Sequence, residues 1–179
     1  MIITTDRLIL RPFVTEDLDE LAVIRAKPEV MKYIADGQPQ NREQVAKRLN
    51  HYIEHYEAHG FSMFALINKA DGRLIGPGGL FTLRGTTEIE VGYCLDTPFW
   101  GQGLATEMAA SWLRYGFEEL KLKTIAAVAY PQNMASRRVM EKVGLTYRKN
   151  GVFHSVDSVY YRIERAQFRP LPFAYQVEL

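Results

Sequence analysis

Apolar residues recur along this chain at two spacings. Period two marks strands. Across Arg7–Phe13, Leu8 and Leu10 fit a buried face while Arg7, Ile9 and Arg11 form the other. Glu88–Leu95 alternates most clearly, with Ile89, Val91, Tyr93 and Leu95 on one face and Glu88, Glu90, Gly92 and Cys94 on the other. Phe61–Ile67 and Arg73–Thr82 read as two more strands, joined by the Asp-Gly hairpin signal in Ala70-Asp71-Gly72-Arg73. Gly76-Pro77-Gly78-Gly79 interrupts the second and predicts a bulge or a ligand-facing irregularity. Thr124–Ala129 is apolar almost throughout, as in a sheet centre. Leu145–Lys149 opens another strand, and Ser155–Ile163 reads as the last.

Between the strands the spacing becomes helical. Thr15 can cap a helix whose first turn carries Glu16 and Asp17; Leu18, Leu21, Ala22 and Arg25 lie on one side of it, and Pro28 ends or redirects it. A further helical turn is expected over Pro28–Ile34. Asn41 can cap a longer helix reaching about His59, with a stripe of Val45, Leu49, Tyr52, Ile53 and Tyr56 and a stop at Gly60. After Gly103, a wide stripe of Leu104, Met108, Trp112 and Tyr115, flanked by Ala105 and Ala109, predicts a helix packed on a sheet. Asn133 can cap a last helix with Ala135, Val139 and Val143 at i, i+4, i+8 and a stop at Gly144. These elements predict a mixed α/β fold, a twisted sheet of about seven strands flanked by about four helices.

Composition narrows the class. A chain of 179 residues suits one domain, 1–179, with a sizeable core. Its 47% hydrophobic and 24% charged residues are those of an ordinary soluble protein, and a net charge of +1 implies no general attraction to nucleic acid or membrane. The single Cys94 excludes an internal disulfide and a multi-cysteine metal site. No signal-peptide pattern and no apolar run long enough for a bilayer is present, so the cytoplasm is the expected compartment. His51, His55 and His59 recur every four residues, a spacing that can present imidazoles to a metal. They flank the apolar stripe without an acidic ligand at fixed spacing, so a solvated helix edge and no metal are expected.

The chemistry concentrates in Thr97-Pro98-Phe99-Trp100-Gly101-Gln102-Gly103-Leu104-Ala105-Thr106-Glu107. Here a strand ends, two glycines turn the backbone, and a helix begins. The first amides of a helix lack intrahelical partners and sit at the positive end of its dipole, which suits an anion, most often phosphate. A P-loop is excluded because no Lys follows Gly103. The dinucleotide fingerprint fails because Thr106 occupies its last position. The remaining pattern, x-x-x-G-x-[GA] from Trp100 through Gly103 to Ala105, resembles the acyl-CoA pyrophosphate loop of the GNAT acetyltransferase superfamily. Trp100 stands where that family usually has Gln or Arg, and together with the opening Thr5-Asp6-Arg7-Leu8-Ile9-Leu10-Arg11-Pro12 it resembles the Rim-type ribosomal-protein N-terminal acetyltransferases. Leu74-Ile75-Gly76-Pro77-Gly78-Gly79-Leu80 is similar to a family strand, with Pro77 as a departure. Asn133-x-x-Ser136-x-x-Val139-x-Glu141-Lys142-x-Gly144-Leu145 is similar to the segment whose Asn contacts the pantetheine arm. The resemblance spans roughly residues 3–165 and leaves a short tail, 166–179, whose Phe168–Phe173 stretch is compatible with packing or with a loose end.

The resemblance implies acetyl transfer from acetyl-CoA to a primary amine, a protein N-terminus or a small molecule, by direct attack in a ternary complex. The partners implied are acetyl-CoA and the amine acceptor, with no nucleic acid, membrane or metal, for a monomer or homodimer. The CoA-binding residues would be Tyr93, Leu95, Trp100, Gly101, Gln102, Gly103, Leu104, Ala105, Thr106, Asn133, Ser136 and Arg138, with Arg137 beside them. Glu90 is the first candidate for the general base and Glu88 the second. Ser136 is the candidate for protonating the departing sulfur, because Met140 occupies the place of the Tyr that many relatives use; Tyr130 is the second candidate. The contrasting reading is a non-catalytic acyl-CoA-binding sensor, which would need neither carboxylate.

Overall fold

Nine strands join into one sheet in the computed structural model, which describes residues 1–178. In chain order they are β1 (Ile2–Thr4), β2 (Leu8–Arg11), β3 (Met63–Asn68), β4 (Leu74–Thr82), β5 (Ile89–Tyr93), β6 (Thr124–Ala129), β7 (Thr146–Phe153), β8 (Val156–Glu164) and β9 (Gln176–Glu178). The helices are α1 (Leu18–Arg25), α2 (Pro28–Met31), α3 (Arg42–His59), α4 (Leu104–Glu118) and α5 (Met134–Lys142). Strand order is β7-β8-β6-β5-β4-β3-β2-β1-β9. Only β5 and β6 pair in parallel; the other neighbours are antiparallel.

The alternation along each strand sorts the core into two layers. On one face Leu8, Leu10, Leu66, Leu80, Val91 and Ile125 pack under Met108, Trp112 and Leu113 of α4 and Met140 of α5. On the other, Ala65, Leu74 and Cys94 pack under Leu21 and Ile24 of α1 and Val45 and Leu49 of α3. This second cover stops short of β6 and β8, where Ala126 and Tyr160 join Leu83 in a small separate cluster.

The sheet is two strands longer than expected, and the helical turn expected over Pro28–Ile34 is α2. Both extra strands are short, too brief for a periodic signal: β1 pairs with β2, and β9 pairs with β1 and forms the edge. The tail is therefore packed, and Phe168, Leu171, Phe173, Tyr175 and Val177 rest on the α4 core. β4 runs unbroken through Gly76-Pro77-Gly78-Gly79, with one register shift that leaves Ile75 unpaired between Gly76 and Leu74. A Cβ on Gly76, whose φ is +139°, would lie 2.0 Å from the Cys94 carbonyl oxygen. That glycine is needed for strand approach, not for a ligand.

Three local expectations are corrected. Thr15 does not cap α1; Asp17 stands at the N-cap position, but its side chain makes no bond to an α1 amide and instead accepts from the Val14 amide at 2.9 Å while Arg11 donates to both its oxygens at 2.7 and 2.8 Å. Ala35 aside, the other left-handed non-glycine residues are Lys121, His154 and Ser155, and the last two form the β7–β8 turn. In α5 the buried line is Met140 and Val143, whereas Ala135 is exposed, because only the C-terminal half of that helix lies on the sheet. The histidine ladder is not uniformly solvated. His51 and His59 are exposed, but His55 is buried, stacks on Phe81 at 4.0 Å and donates from Nδ1 to the Phe61 carbonyl at 2.8 Å.

Candidate active site

β5 and β6 are in register at a single pair, Glu90 with Ala126. Beyond it each strand stays with its outer neighbour. Cys94 N donates to Pro77 O at 2.9 Å and Asp96 N to Ile75 O at 2.8 Å, while β6 follows β8 as far as Ala129 opposite Val159. The strands therefore part toward their C-terminal ends. Successive amides of an extended strand point to opposite sides, so the Leu95 amide faces the gap, and it has no hydrogen-bond partner among the described residues.

The glycine loop closes the lower end of this gap. Asp96 accepts from the Thr97 amide at 2.8 Å and holds Lys27 at 2.6 Å. The Trp100 indole N–H donates to the Leu95 carbonyl at 2.7 Å, tying loop to strand, and the Gln102 side-chain Nε2 donates to Pro98 O at 2.7 Å. Gly101 and Gly103 take φ of +72° and +80°, the left-handed region that side chains with a Cβ disfavour. The first intrahelical bond of α4 is Glu107 N to Gly103 O, at 3.1 Å. Among the described residues, the amides from Gly101 through Gln102, Gly103, Leu104 and Ala105 to Thr106 donate to no protein acceptor.

Glu107, 0% exposed, fixes this loop from below. It accepts from Thr5 Oγ1 at 2.7 Å, from the Arg7 amide at 2.8 Å and from Arg7 Nε at 2.7 Å. Arg7 in turn donates to the Gln102 carbonyl at 2.8 Å. Sequence reasoning missed this clamp. An acid in a first helical turn is common for electrostatic reasons alone, and nothing local marks a partner a hundred residues earlier.

Tyr93 of β5 and Ser136 of α5 meet across the gap: the Tyr93 hydroxyl is 3.0 Å from Ser136 Oγ and 3.3 Å from the Ser136 carbonyl. Burial pushes the Tyr93 phenol up to about 12, the Ser136 bond opposing the shift, so the phenol stays protonated at neutral pH. Asn133 caps α5, accepting from the Ser136 amide at 3.1 Å. Arg137 turns inward to Tyr161 and the Pro131 carbonyl, and Arg138 is exposed. The Tyr130 hydroxyl donates to the Ala35 carbonyl at 2.6 Å, away from Ser136.

The two candidate carboxylates point to the α1–α3 face. Glu90, nearly buried, lies 2.9 Å from Nε2 of His154 at the β7–β8 turn. His154 is raised above its ordinary value, chiefly by that bond, with burial opposing. Glu88 accepts from Tyr160 at 2.7 Å and lines a charged cleft of about 360 Å³ with Arg148, Lys149, Arg162 and Glu164, at the end of β5 remote from the gap. Among the described residues no group of three or more His, Cys, Asp or Glu could hold a metal ion, and no helix is long and apolar enough to cross a membrane.

Residues 7–146 match the model of the acetyltransferase (GNAT) domain. The chain belongs to the GNAT acetyltransferase family. The N-acetyltransferase YnaD of Bacillus subtilis is 32% identical over 153 residues, 86% of each chain. The crystal structure of a GNAT acetyltransferase from Bacillus anthracis superposes with a TM-score of 0.79 at 28% identity, covering 93% of this chain and 99% of that one. RimL, a ribosomal L7/L12 alpha-N-protein acetyltransferase solved in complex with coenzyme A, shares the fold with a TM-score of 0.77 at 16% identity, over 92% and 98% of the two chains. The protein is thus an acetyl-CoA-dependent acetyltransferase, and the Rim-type likeness holds at the level of the fold.

Proposed function

We propose that the chain transfers acetyl from acetyl-CoA to a primary amine in a ternary complex, with the amine on the α1–α3 face and the CoA on the α4–α5 face. The observation that carries this is the parting of β5 from β6 after Glu90, with the free Leu95 amide inside the gap and six free amides at its end. Those amides, at the positive end of α4, suit a pyrophosphate. The Leu95 amide suits a thioester carbonyl or a peptide-like arm. The co-substrate supplies an acetyl group already activated toward amines.

The protein's own part is to orient, to take one proton and to give another. Glu90, on the acceptor face at the top of the gap, takes the proton of the attacking amine directly or through a water, and His154 holds its carboxylate in place. Ser136, backed by the protonated Tyr93, gives a hydrogen bond or a proton to the leaving sulfur. Glu88 is less suited, because Tyr160 engages it at the far end of β5. Tyr130 is less suited than Ser136, because its proton is engaged by Ala35.

The test is calorimetric titration with acetyl-CoA followed by thiol release with an amine panel, in wild type and Glu90→Gln. Binding with turnover is expected, and the variant should lose about 10²–10³ in kcat with its acetyl-CoA affinity unchanged. An unchanged kcat removes Glu90 as the base. Saturable binding without any thiol release would favour the sensor reading.

A further inference from the structure

Two guanidiniums on the α1–α3 side each keep a buried nitrogen without a partner among the described residues. Arg25 is the last residue of α1 and is 1% exposed. Its Nε donates to Gln40 Oε1 at 2.7 Å, and its carbonyl accepts from the Gln40 amide at 2.9 Å, so one edge of the residue ties α1 to the loop before α3. Nη2 of the same guanidinium is buried and makes no hydrogen bond among the described residues. Arg48, on the α3 flank over the sheet, has its Nε buried and likewise unbonded. Among the described residues no carboxylate lies within 4.0 Å of either guanidinium. Asp96 is engaged by Lys27 and Glu90 by His154, while Glu20 of α1 turns to the Leu74 amide at 3.3 Å.

Both cations flank the end of β5: Ile24 and Leu49, their neighbours on α1 and α3, pack in one cluster with Cys94. Burial pushes the Cys94 thiol up, and the positive charges of Arg25 and Arg48 oppose that shift. Cys94, Gly92 and Glu90 follow one another along that face of β5, beside the gap. Gly92 leaves room there: a Cβ on it would meet only the flexible end of Met63, at 3.8 Å. A buried cationic donor without a partner is costly and persists where something else satisfies it. Planar guanidiniums match carboxylates in both charge and geometry.

We infer that the acceptor is a small amine that also carries a carboxylate, bound by Arg25 and Arg48 while its amine reaches Glu90 at the gap. This rests on the transferase reading above and narrows its substrate class. A protein N-terminus, whose carboxylate lies at the other end of a long chain, offers no such group beside the amine. A polyamine would be repelled by both arginines.

The test measures thiol release from acetyl-CoA with the standard amino acids, unbranched β-, γ- and δ-amino acids, the carboxamide of each, spermidine, and C-terminally amidated peptides beginning with Ala, Ser or Met. Rates are compared per neutral amine, because amidation changes the amine pKa. At least one acid should exceed its amide by about a hundredfold in kcat/KM, mainly through KM. The same acid titrated calorimetrically into CoA-saturated protein should give binding that its amide lacks. Arg48→Gln should shrink the acid-to-amide ratio by about tenfold or more, and Arg25→Lys should do so if Arg25→Met fails to fold. Equal use of acids and amides overturns the inference. So does a best acceptor without a carboxylate, or a ratio that survives in both arginine variants. An inert acid panel on protein that binds acetyl-CoA also overturns it and leaves the transferase standing. Failure to bind acetyl-CoA would instead overturn the proposed transfer itself.

Discussion

The two faces of the sheet at β5 are built on different principles. On the α4–α5 side the groups proposed to hold the co-substrate are mostly backbone amides, held by two left-handed glycines and by a buried acid fully occupied with its own partners. On the α1–α3 side they are side chains: Glu90 with His154, and two guanidiniums that each keep one buried nitrogen without a partner among the described residues. Backbone donors arranged by glycines recognise what every reaction cycle shares. Side chains on helices recognise what differs between enzymes. The difference teaches where each kind of variant should act, and it can be broken or sharpened on either side.

The largest effect should come from the clamp beneath the loop. Glu107→Ala leaves the Thr5 hydroxyl and the Arg7 amide without their buried acceptor and frees the Arg7 guanidinium. A loss of about 3–5 kcal/mol of stability is expected, read by denaturant unfolding. Because Arg7 is half-exposed, water recovers part of its share, which favours the lower end of that range. A change of less than about 1 kcal/mol would show that the loop does not depend on its anchor.

What was legible in the sequence follows the same division. Gly101, Gly103 and Asn133 announced their conformations because glycine turns and Asn caps are local chemistry, and the structure places all three so. The stripe of α4 named its core residues for the same reason. Arg25 fell on the apolar side of α1 by spacing alone, but periodicity says nothing about what a buried guanidinium faces. The Glu107 clamp, the Glu90–His154 pair and the meeting of Tyr93 with Ser136 join residues 43 to 102 positions apart, and no window of sequence contains both partners. The short strands β1 and β9 were missed because three residues cannot show a period.

A middle-sized effect should separate the faces directly. Gly103→Ala meets nothing closer than Arg7 Nη2 at 3.6 Å, so space is not the obstacle; the φ of +80° is. Holding a residue with a Cβ there costs about 1–2 kcal/mol, which should relax the loop and weaken acetyl-CoA binding about tenfold, with the acceptor KM unmoved. A calorimetric Kd equal to wild type would show that the left-handed turn does not shape the anion site. An acceptor KM that moved with it would show that the faces are not independent.

The smallest effect concerns two histidines on the acceptor side with opposite signs. His154 is raised chiefly by the Glu90 bond, so its contribution to stability is fully present below the ordinary histidine value and is lost as pH rises through the raised one. His55 is lowered chiefly by burial, with His59 and His51 adding to the shift and the Phe61 carbonyl opposing it. Its contribution is present above the ordinary value and is lost as pH falls through the lowered one. On acidification the wild type therefore gains from one and loses from the other. Unfolding of wild type, His154→Gln and His55→Gln from about pH 8 to about pH 5 isolates each limb. His154→Gln should lose stability more steeply in acid than wild type, and His55→Gln less steeply, after a constant offset for lost packing against Phe81. Three parallel curves would mean that neither imidazole feels the fold. A shallower His154→Gln curve would mean that Glu90 does not hold the proton on its partner, which would remove the orienting role proposed for His154.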